Sequence, residues 1–309
     1  MSESAPADGV ATVNTSRYAD AAAIRVNAIP VGASLDERRE AALAGARKPR
    51  RLGGWYNAEA FLLSMKAYGW TIIVGGVGSP LLYLLGLGLG LAAVIPVSVA
   101  DGAAGPVSYV TFVAPALLVT ATIGVASEEF TYPVMGGFKW RKTFFGIAAT
   151  PVSPPQIVSG LVIAVVGRML FVSVAYYALM VVFGAVPQPG LGMLSILAGL
   201  LAGLAFGLPL LAYASSIRED KGQFALVQRF IFTPLFLFSG TFYPLDTLPV
   251  WLHPIGWLSP VWHGAQLGRW ATYGAPTPGW LLAVHALALV AIAAVAGYVA
   301  GRVFTRRLR

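Results

Sequence analysis

Few residues in this sequence can do chemistry, and the most conspicuous is a charge where charge is expensive. Arg168 lies about a dozen residues into an apolar run, roughly 18 Å along a helix at 1.5 Å per residue. A guanidinium at that depth has two outlets. It can face a water-filled path and attract an anionic head group, or pair with a carbonyl or an acidic residue of a neighbouring element. Arg229 stands only a turn or two inside its run, where snorkelling accounts for it. The acids Glu128, Glu129, Glu219, Asp220, Asp101 and Asp246 fall at the ends of apolar runs. That placement argues against a proton relay and leaves open sodium held by carbonyls and hydroxyls. His253, His263 and His285 have no metal-ligand spacing. There is no G-x-x-x-x-G-K-[ST] loop to cradle ATP phosphates. No Ser/His/Asp or Cys/His set stands in a helpful context, and with no cysteine there is no thiol chemistry. No catalytic, cofactor-binding or metal residue is assigned, so the chain itself is not expected to be an enzyme.

Two segments must position whatever function exists. Phe238–Gly264 is too apolar for a water-exposed loop, yet Pro244, Pro249, Pro254 and Pro260 forbid a continuous helix. Its Tyr243, Trp251, Trp257 and Trp262 suit a membrane–water boundary. A set of short helical pieces entering one face of a bilayer is expected. Glu128–Gly160 is the second segment. Lys139–Ala149 within it can form a short amphipathic helix with Trp140, Phe144 and Ile147 on one face. Such a helix either docks into a partner's groove or is a passive interfacial linker.

The elements that carry these segments are membrane helices. Of the residues, 57% are hydrophobic and 11% charged, with mean hydropathy +0.72, against about 25% charge in soluble domains. At about 20 apolar residues per span, six spans are expected near 71–95, 108–127, 157–184, 190–214, 224–243 and 279–301. Before the first, Gly54–Gly69 places Trp55, Phe61, Leu62, Met65 and Tyr68 opposite Asn57, Glu59, Ser64 and Lys66, the pattern of an in-plane interfacial helix. Gly86 and Gly90 form a G-x-x-x-G face, for a dimer seam or for packing inside one subunit. Residues 1–53 read as a disordered, charged tail, with one short helix at Leu35–Ala46 and no secretory signal pattern. The expected fold is an all-α polytopic membrane protein with six transmembrane helices, an N-terminal in-plane amphipathic helix and a re-entrant helical segment between spans five and six.

The net charge of +8 reflects topology and lipid head groups rather than nucleic acid. With six alternating helices, the basic residues of the tail, of Lys139–Lys142, of Arg218–Lys221 and of Arg302–Arg309 all share one side. The other side holds Asp101, Asp246 and Arg269. The positive-inside rule puts both termini in the cytoplasm of a multi-pass cell-membrane protein, a bacterial plasma membrane being expected.

These segments resemble a known family. Thr143–Gly160, TFFGIAATPVSPPQIVSG, is similar to the loop of type-2 ABC transporter permeases of the nodulation-factor, daunorubicin and polysaccharide exporter branch. Tyr109–Leu118, YVTFVAPALL, resembles that branch's second span, and Phe238–Arg269 resembles its stretch between spans five and six. The likeness covers residues 54–309 as one ABC-2 type transmembrane domain. It implies a half-transporter that pairs with a second copy or a related permease and binds two ABC ATPase subunits, which hold the ATP and Mg. It implies an ATPase-coupling loop at Lys139, Trp140, Arg141, Lys142, Thr143 and Phe144, and a family-motif loop at Thr150, Pro151, Val152, Ser153 and Gly160. An outer re-entrant gate falls on Phe242, Tyr243, Pro244, Leu248, Pro249, Trp251, Trp257 and Pro260. The dimer seam falls on Gly86 and Gly90. An amphipathic cargo is expected: a lipid-linked glycan, a glycolipid or a hydrophobic drug. An ion-coupled carrier or channel without an ATPase is the competing expectation.

Overall fold

The computed structural model describes residues 34–86, 90 and 100–309. By internal contacts the chain forms two units, residues 1–51 and 52–309.

In the first unit, Ser34 and Glu37 cap each other's backbone at the start of α1 (Leu35–Lys66), at 2.8 and 3.3 Å. Asp36 and Glu37 sit in the first turn, where the helix dipole favours acids. The Ala-, Glu- and Arg-rich sequence that follows has high helix propensity. Residues 35–53 are therefore helical rather than tail-like, and the expected helix at Leu35–Ala46 is only the opening part of α1. The remainder of the expected tail, residues 1–33, lies outside the described residues.

In the second unit, α1 is followed after an 80° bend by α2 (Gly69–Leu85). A hairpin of β1 (Ala100–Gly102) and β2 (Gly105–Val107) leads to α3 (Tyr109–Glu129) and α4 (Tyr132–Lys139). Next come α5 (Thr143–Ala148), α6 (Pro154–Val182), α7 (Pro189–Gly192) and α8 (Leu194–Ser216). A broken helix consists of α9 (Gln223–Val227), a π turn (Gln228–Phe232) and α10 (Thr233–Phe238). The chain closes with α11 (His253–Leu258), α12 (Pro260–Tyr273) and α13 (Gly279–Leu308).

Among the described residues, four helical runs are long and apolar enough to cross a membrane: Tyr109–Lys139, Pro154–Val182, Pro189–Ser216 and Gly279–Leu308. Counting α1 and α2 as one broken span makes five, where the sequence suggests six. The difference has two sources. The expected first span, 71–95, is described only through Gly86 and at Gly90; its other residues lie outside the described set. The expected fifth span, 224–243, is the shorter Gln223–Phe238. Pro234 lacks the N–H that would bond one turn back, the preceding turn widens to a π turn, and Gly240 at φ +70° ends the run.

The bundle is organised around α8, which packs on α3, α6, α12 and α13. Gly199, Gly203 and Gly207, spaced by four, let α3 and α6 come close. A Cβ at Gly199 would meet Leu118 at 2.7 Å, at Gly203 Met169 at 2.8 Å, and at Gly207 Ala126 and Phe130 at 2.7 Å. The Thr122 hydroxyl lies 2.9 Å from the Gly199 carbonyl across this seam, a bond worth about 1 kcal/mol in a bilayer. The α3 window is 83% buried and the α13 window 17%, at similar hydropathy. So α3 is core, whereas α13 offers its apolar surface to lipid or another chain.

The expected apolar stripe of Gly54–Gly69 is revised. Asn57, Ala58 and Met65 are buried, while Trp55 and Leu62 are 62% and 42% exposed. Small residues govern this crossing: a Cβ at Gly160 of α6 would stand 2.5 Å from the Asn57 Cβ and 2.7 Å from the Gly54 carbonyl. Asn57 is satisfied locally through Nδ2 to the Gly53 carbonyl at 2.7 Å.

Candidate functional site

Functional side chains gather at the two ends of the bundle. On the basic end, α4 stops at Lys139 and α5 begins at Thr143, so the helix expected over Lys139–Ala149 is broken. The break is at Lys142, with φ +53°, the only non-glycine with positive φ among the described residues. The face expected to hold Trp140, Phe144 and Ile147 together is split accordingly. Trp140 is 56% exposed, and Lys139, Arg141, Lys142 and Thr143 are exposed beside it, while Phe144 is buried. Phe144 anchors α5 on Phe138 and Phe304 at 4.8 and 5.2 Å between ring centres. The Arg307 guanidinium lies 4.1 Å above the Phe138 ring and donates to the Ser215 carbonyl, which ties this pad to α8 and α13.

The motif loop then enters α6. Thr150 donates to the Ile147 carbonyl at 2.7 Å, Pro151 is exposed and Val152 half-buried. Ser153 and Gln156 form a capping box that starts α6, followed by Pro154 and Pro155. Gly160 lies one turn further, at the close crossing with α1.

Arg168 sits beside this loop. Its Nη2 is 2.7 Å from Glu128, its Nη1 bonds Glu129, and its Nε has no partner among the described residues. The pairing foreseen for this charge is present. The two acids are the last two residues of α3, at its end as the sequence places them. The triad walls a cavity of about 610 Å³ with Phe61 and Met65 of α1 and Arg141 and Phe144 of the loop.

At the other end, the proline-broken segment is a chain of short pieces, as the prolines dictate. Pro244 and Pro249 precede two 3-10 turns, Leu245–Thr247 and Val250–Leu252. Phe242 meets Phe236 at 4.9 Å, and the Tyr243 hydroxyl donates to the Leu237 carbonyl at 2.8 Å. His253 Nε2 donates to the Leu248 carbonyl at 3.0 Å. Trp251 and Trp257 are 75% and 52% exposed, and Pro260 opens α12 with Ser259 as its cap. The hairpin is stapled to α12 by Ala103 N–H to the Tyr273 carbonyl at 3.0 Å.

Sequence reasoning missed two features here. Arg269, 3% exposed, donates from Nε to the Phe112 carbonyl and from Nη2 to those of Gly240 and Thr241, at 3.2, 2.6 and 3.3 Å, and lies 3.8 Å above the Phe112 ring. His263 and His285 are buried and joined Nδ1 to Nδ1 at 2.8 Å. Neither has a local signal, since the partners are remote in sequence. Gly86 and Gly90 have no heavy atom within 4 Å of an added Cβ, so the described residues give them no packing partner inside the subunit.

A broken aromatic segment, a basic loop on an anchored short helix and a core of apolar helices are thus in one chain. The sequence profile described as ABC-2 type transporter matches residues 59–273. The chain belongs to the ABC-2 type transporter family. It is similar to nodulation protein J of Rhizobium leguminosarum bv. viciae, 26% identical over 240 residues, 74% of this chain and 85% of that protein. The Rhizobium meliloti (strain 1021) protein of the same name is 24% identical over 263 residues, covering 80% and 90%. That of Bradyrhizobium diazoefficiens is 22% identical over 226 residues, covering 68% and 83%. The ABC-2 match runs from within α1 to the end of α12 and so includes the basic loop, the Arg168 triad and the Arg269 knot.

Proposed function

We infer that this chain is the membrane-spanning permease subunit of an ATP-driven exporter, with ATP and Mg bound on two separate ABC ATPase subunits. A second copy or a related permease completes the path, with Gly86 and Gly90 at the seam. The observation that carries this reading is the basic loop. Lys139–Thr143 is presented to the outside of the bundle, while Phe144 grips the pad shared with α4 and α13. A push on the exposed residues would reach the transmembrane helices through that one buried ring. The loop belongs on the cytoplasmic side by its charge, with both termini in the cytoplasm of a cell-membrane protein. The broken aromatic segment then faces outward as the gate, and the cargo is amphipathic: a lipid-linked glycan, a glycolipid or a hydrophobic drug.

One observation favours the competing ion-coupled carrier: Glu129, at the end of α3, is a carboxylate only 4% exposed. It is already spent on Arg168, and a proton site would need it free.

The coupling role is tested by charge reversal. Arg141→Glu with Lys142→Glu is expected to abolish co-purification with the chain's ABC ATPase partner, while the permease still elutes as a folded species, because both side chains are exposed. Undiminished co-purification and ATP turnover would remove the loop from the interface.

A further inference from the structure

Gly297 and Gly301 form a second G-x-x-x-G pair near the end of α13, the helix whose apolar window is only 17% buried. Gly297 backs onto Leu208 of α8, 3.6 Å from an added Cβ, whereas at Gly301 no heavy atom lies within 4 Å. The two glycines open a cavity of about 530 Å³, walled also by Arg302, Arg306 and Arg309 and by Pro155 at the start of α6. Spaced i, i+4 and i+7, the arginines share one face of the helix. No acidic side chain lines the cavity, and none of the three arginines forms an ion pair among the described residues. Arg302 is held in place, with Nε and Nη2 donating to the Tyr298 hydroxyl at 2.9 and 2.5 Å. The Thr305 hydroxyl donates to the Gly301 carbonyl at 2.8 Å.

The helix itself sets the depth of this cavity. From Gly279 to Gly301, α13 contains no Asp, Glu, Lys or Arg. That stretch is about 34 Å long at 1.5 Å per residue, close to the thickness of a hydrocarbon core. Arg302 therefore stands where head groups begin, and Arg306 and Arg309 lie one and two turns beyond. Val295, Tyr298 and Val299, on the hydrocarbon side, are exposed.

We propose that this cavity is a binding site for an anionic phospholipid. Arg302, Arg306 and Arg309 hold its phosphate, and one acyl chain lies along the Gly297–Gly301 groove. The site rests on the exporter reading only for its place in the cytoplasmic leaflet, where basic pockets between helices take anionic head groups. Charge and depth together select this occupant. A zwitterionic lipid would bring its ammonium into a pocket with three guanidinium groups and no acid. A second copy packed through the same glycines would set arginines against arginines. An acidic protein surface would answer the charge and leave the groove empty at hydrocarbon depth. The anionic lipid meets both needs, and it would brace the coupling pad, because Phe304 on the same turns of α13 packs on Phe138 and Phe144.

The test is native mass spectrometry of the full chain, delipidated in detergent. It is titrated with phosphatidylglycerol, phosphatidylcholine and phosphatidylethanolamine of identical acyl chains, and with glycerol 1-phosphate as the free anion. One phosphatidylglycerol per chain is expected to bind at least about tenfold more tightly than either zwitterionic lipid or the free anion. Arg306→Gln and Arg309→Gln are each expected to weaken it about fivefold, the worth of one basic residue at an anionic lipid. Arg218→Gln, exposed at the same end of the bundle and outside the cavity, is expected to change nothing. Gly301→Leu fills the groove without altering charge and is expected to weaken the lipid comparably. Equal binding of all three lipids would overturn the proposal, as would glycerol phosphate bound as tightly as the lipid. So would an Arg218→Gln loss as large as that of Arg306→Gln, which would reduce the effect to general surface charge. Unchanged lipid binding by Gly301→Leu, or a dimer mass that this variant abolishes, would assign the groove to something other than an acyl chain. None of these outcomes involves the ATPase, so each leaves the exporter reading standing. Failed assembly with the ATPase beside selective lipid binding would overturn that reading and keep the site.

Discussion

Arg168→Ala is expected to destabilise the folded permease by about 3–5 kcal/mol, the usual cost of removing one partner from a buried ion pair. The Arg168 side chain is 15% exposed and that of Glu129 5%, and the other ion pair between the two helices that carry them, Arg168–Glu128, uses the same guanidinium. Without the guanidinium, Glu129 would keep a charge with neither water nor counter-ion. Glu128, 67% exposed at its side chain, would be affected little. Adding Glu129→Gln to Arg168→Ala is therefore expected to recover much of the loss, whereas adding Glu128→Gln is not. The measurement is the thermal midpoint of the purified protein by fluorescence-detected size exclusion. An Arg168→Ala protein as stable as the parent would show that the triad is solvated, and the account of that cavity would fall.

Arg269→Ala is expected to act on the other end of the bundle. It would leave three buried carbonyls, of Phe112, Gly240 and Thr241, without their donor, at about 1–3 kcal/mol for each one left unsatisfied. It would also remove a cation–π contact worth up to about 2 kcal/mol when desolvated. Because Arg269 holds the turn at Gly240 against α3, the loss should be local. Hydrogen exchange across 239–258 is expected to quicken by at least tenfold, with α3 and α6 protected as before. Arg269→Lys should rescue poorly, since an ammonium lacks the planar fork that reaches carbonyls from two segments. Uniform loosening of the whole bundle would contradict this local role.

How far these features could be read from the sequence depends on whether their signal is local. Proline breakage of Phe238–Gly264 was legible, because the missing N–H acts within a turn. So was the helical membrane character. The basic loop was legible in composition and not in shape, since nothing local announces that Lys142 takes a left-handed conformation between two helices. The glycine spacing was legible too, but Gly86 and Gly90 carry the same local signal as Gly199, Gly203 and Gly207, the set that brings α8 against α3 and α6. In an apolar helix a glycine face does not name its partner. The Arg168 triad needed one fact absent from hydropathy, namely that the packing of α3 on α6 brings the end of α3, with Glu128 and Glu129, against Arg168. The Arg269 knot and the His263–His285 pair join residues 157 and 22 positions apart, so only the fold could reveal them.

On this account the two ends of the bundle have different work. In the proposed exporter the basic end would receive a push through Phe144, and the aromatic end would hold the outer path shut with elements pinned by Arg269. Whether the energy comes from a separate ATPase is measured directly by reconstitution. The chain is placed in liposomes with or without its ABC ATPase partner, and movement of a fluorescent glycolipid between leaflets is followed. Movement that requires both the ATPase and hydrolysable ATP is the predicted result. Movement by the chain alone, driven by an ion gradient and indifferent to ATP, would contradict it.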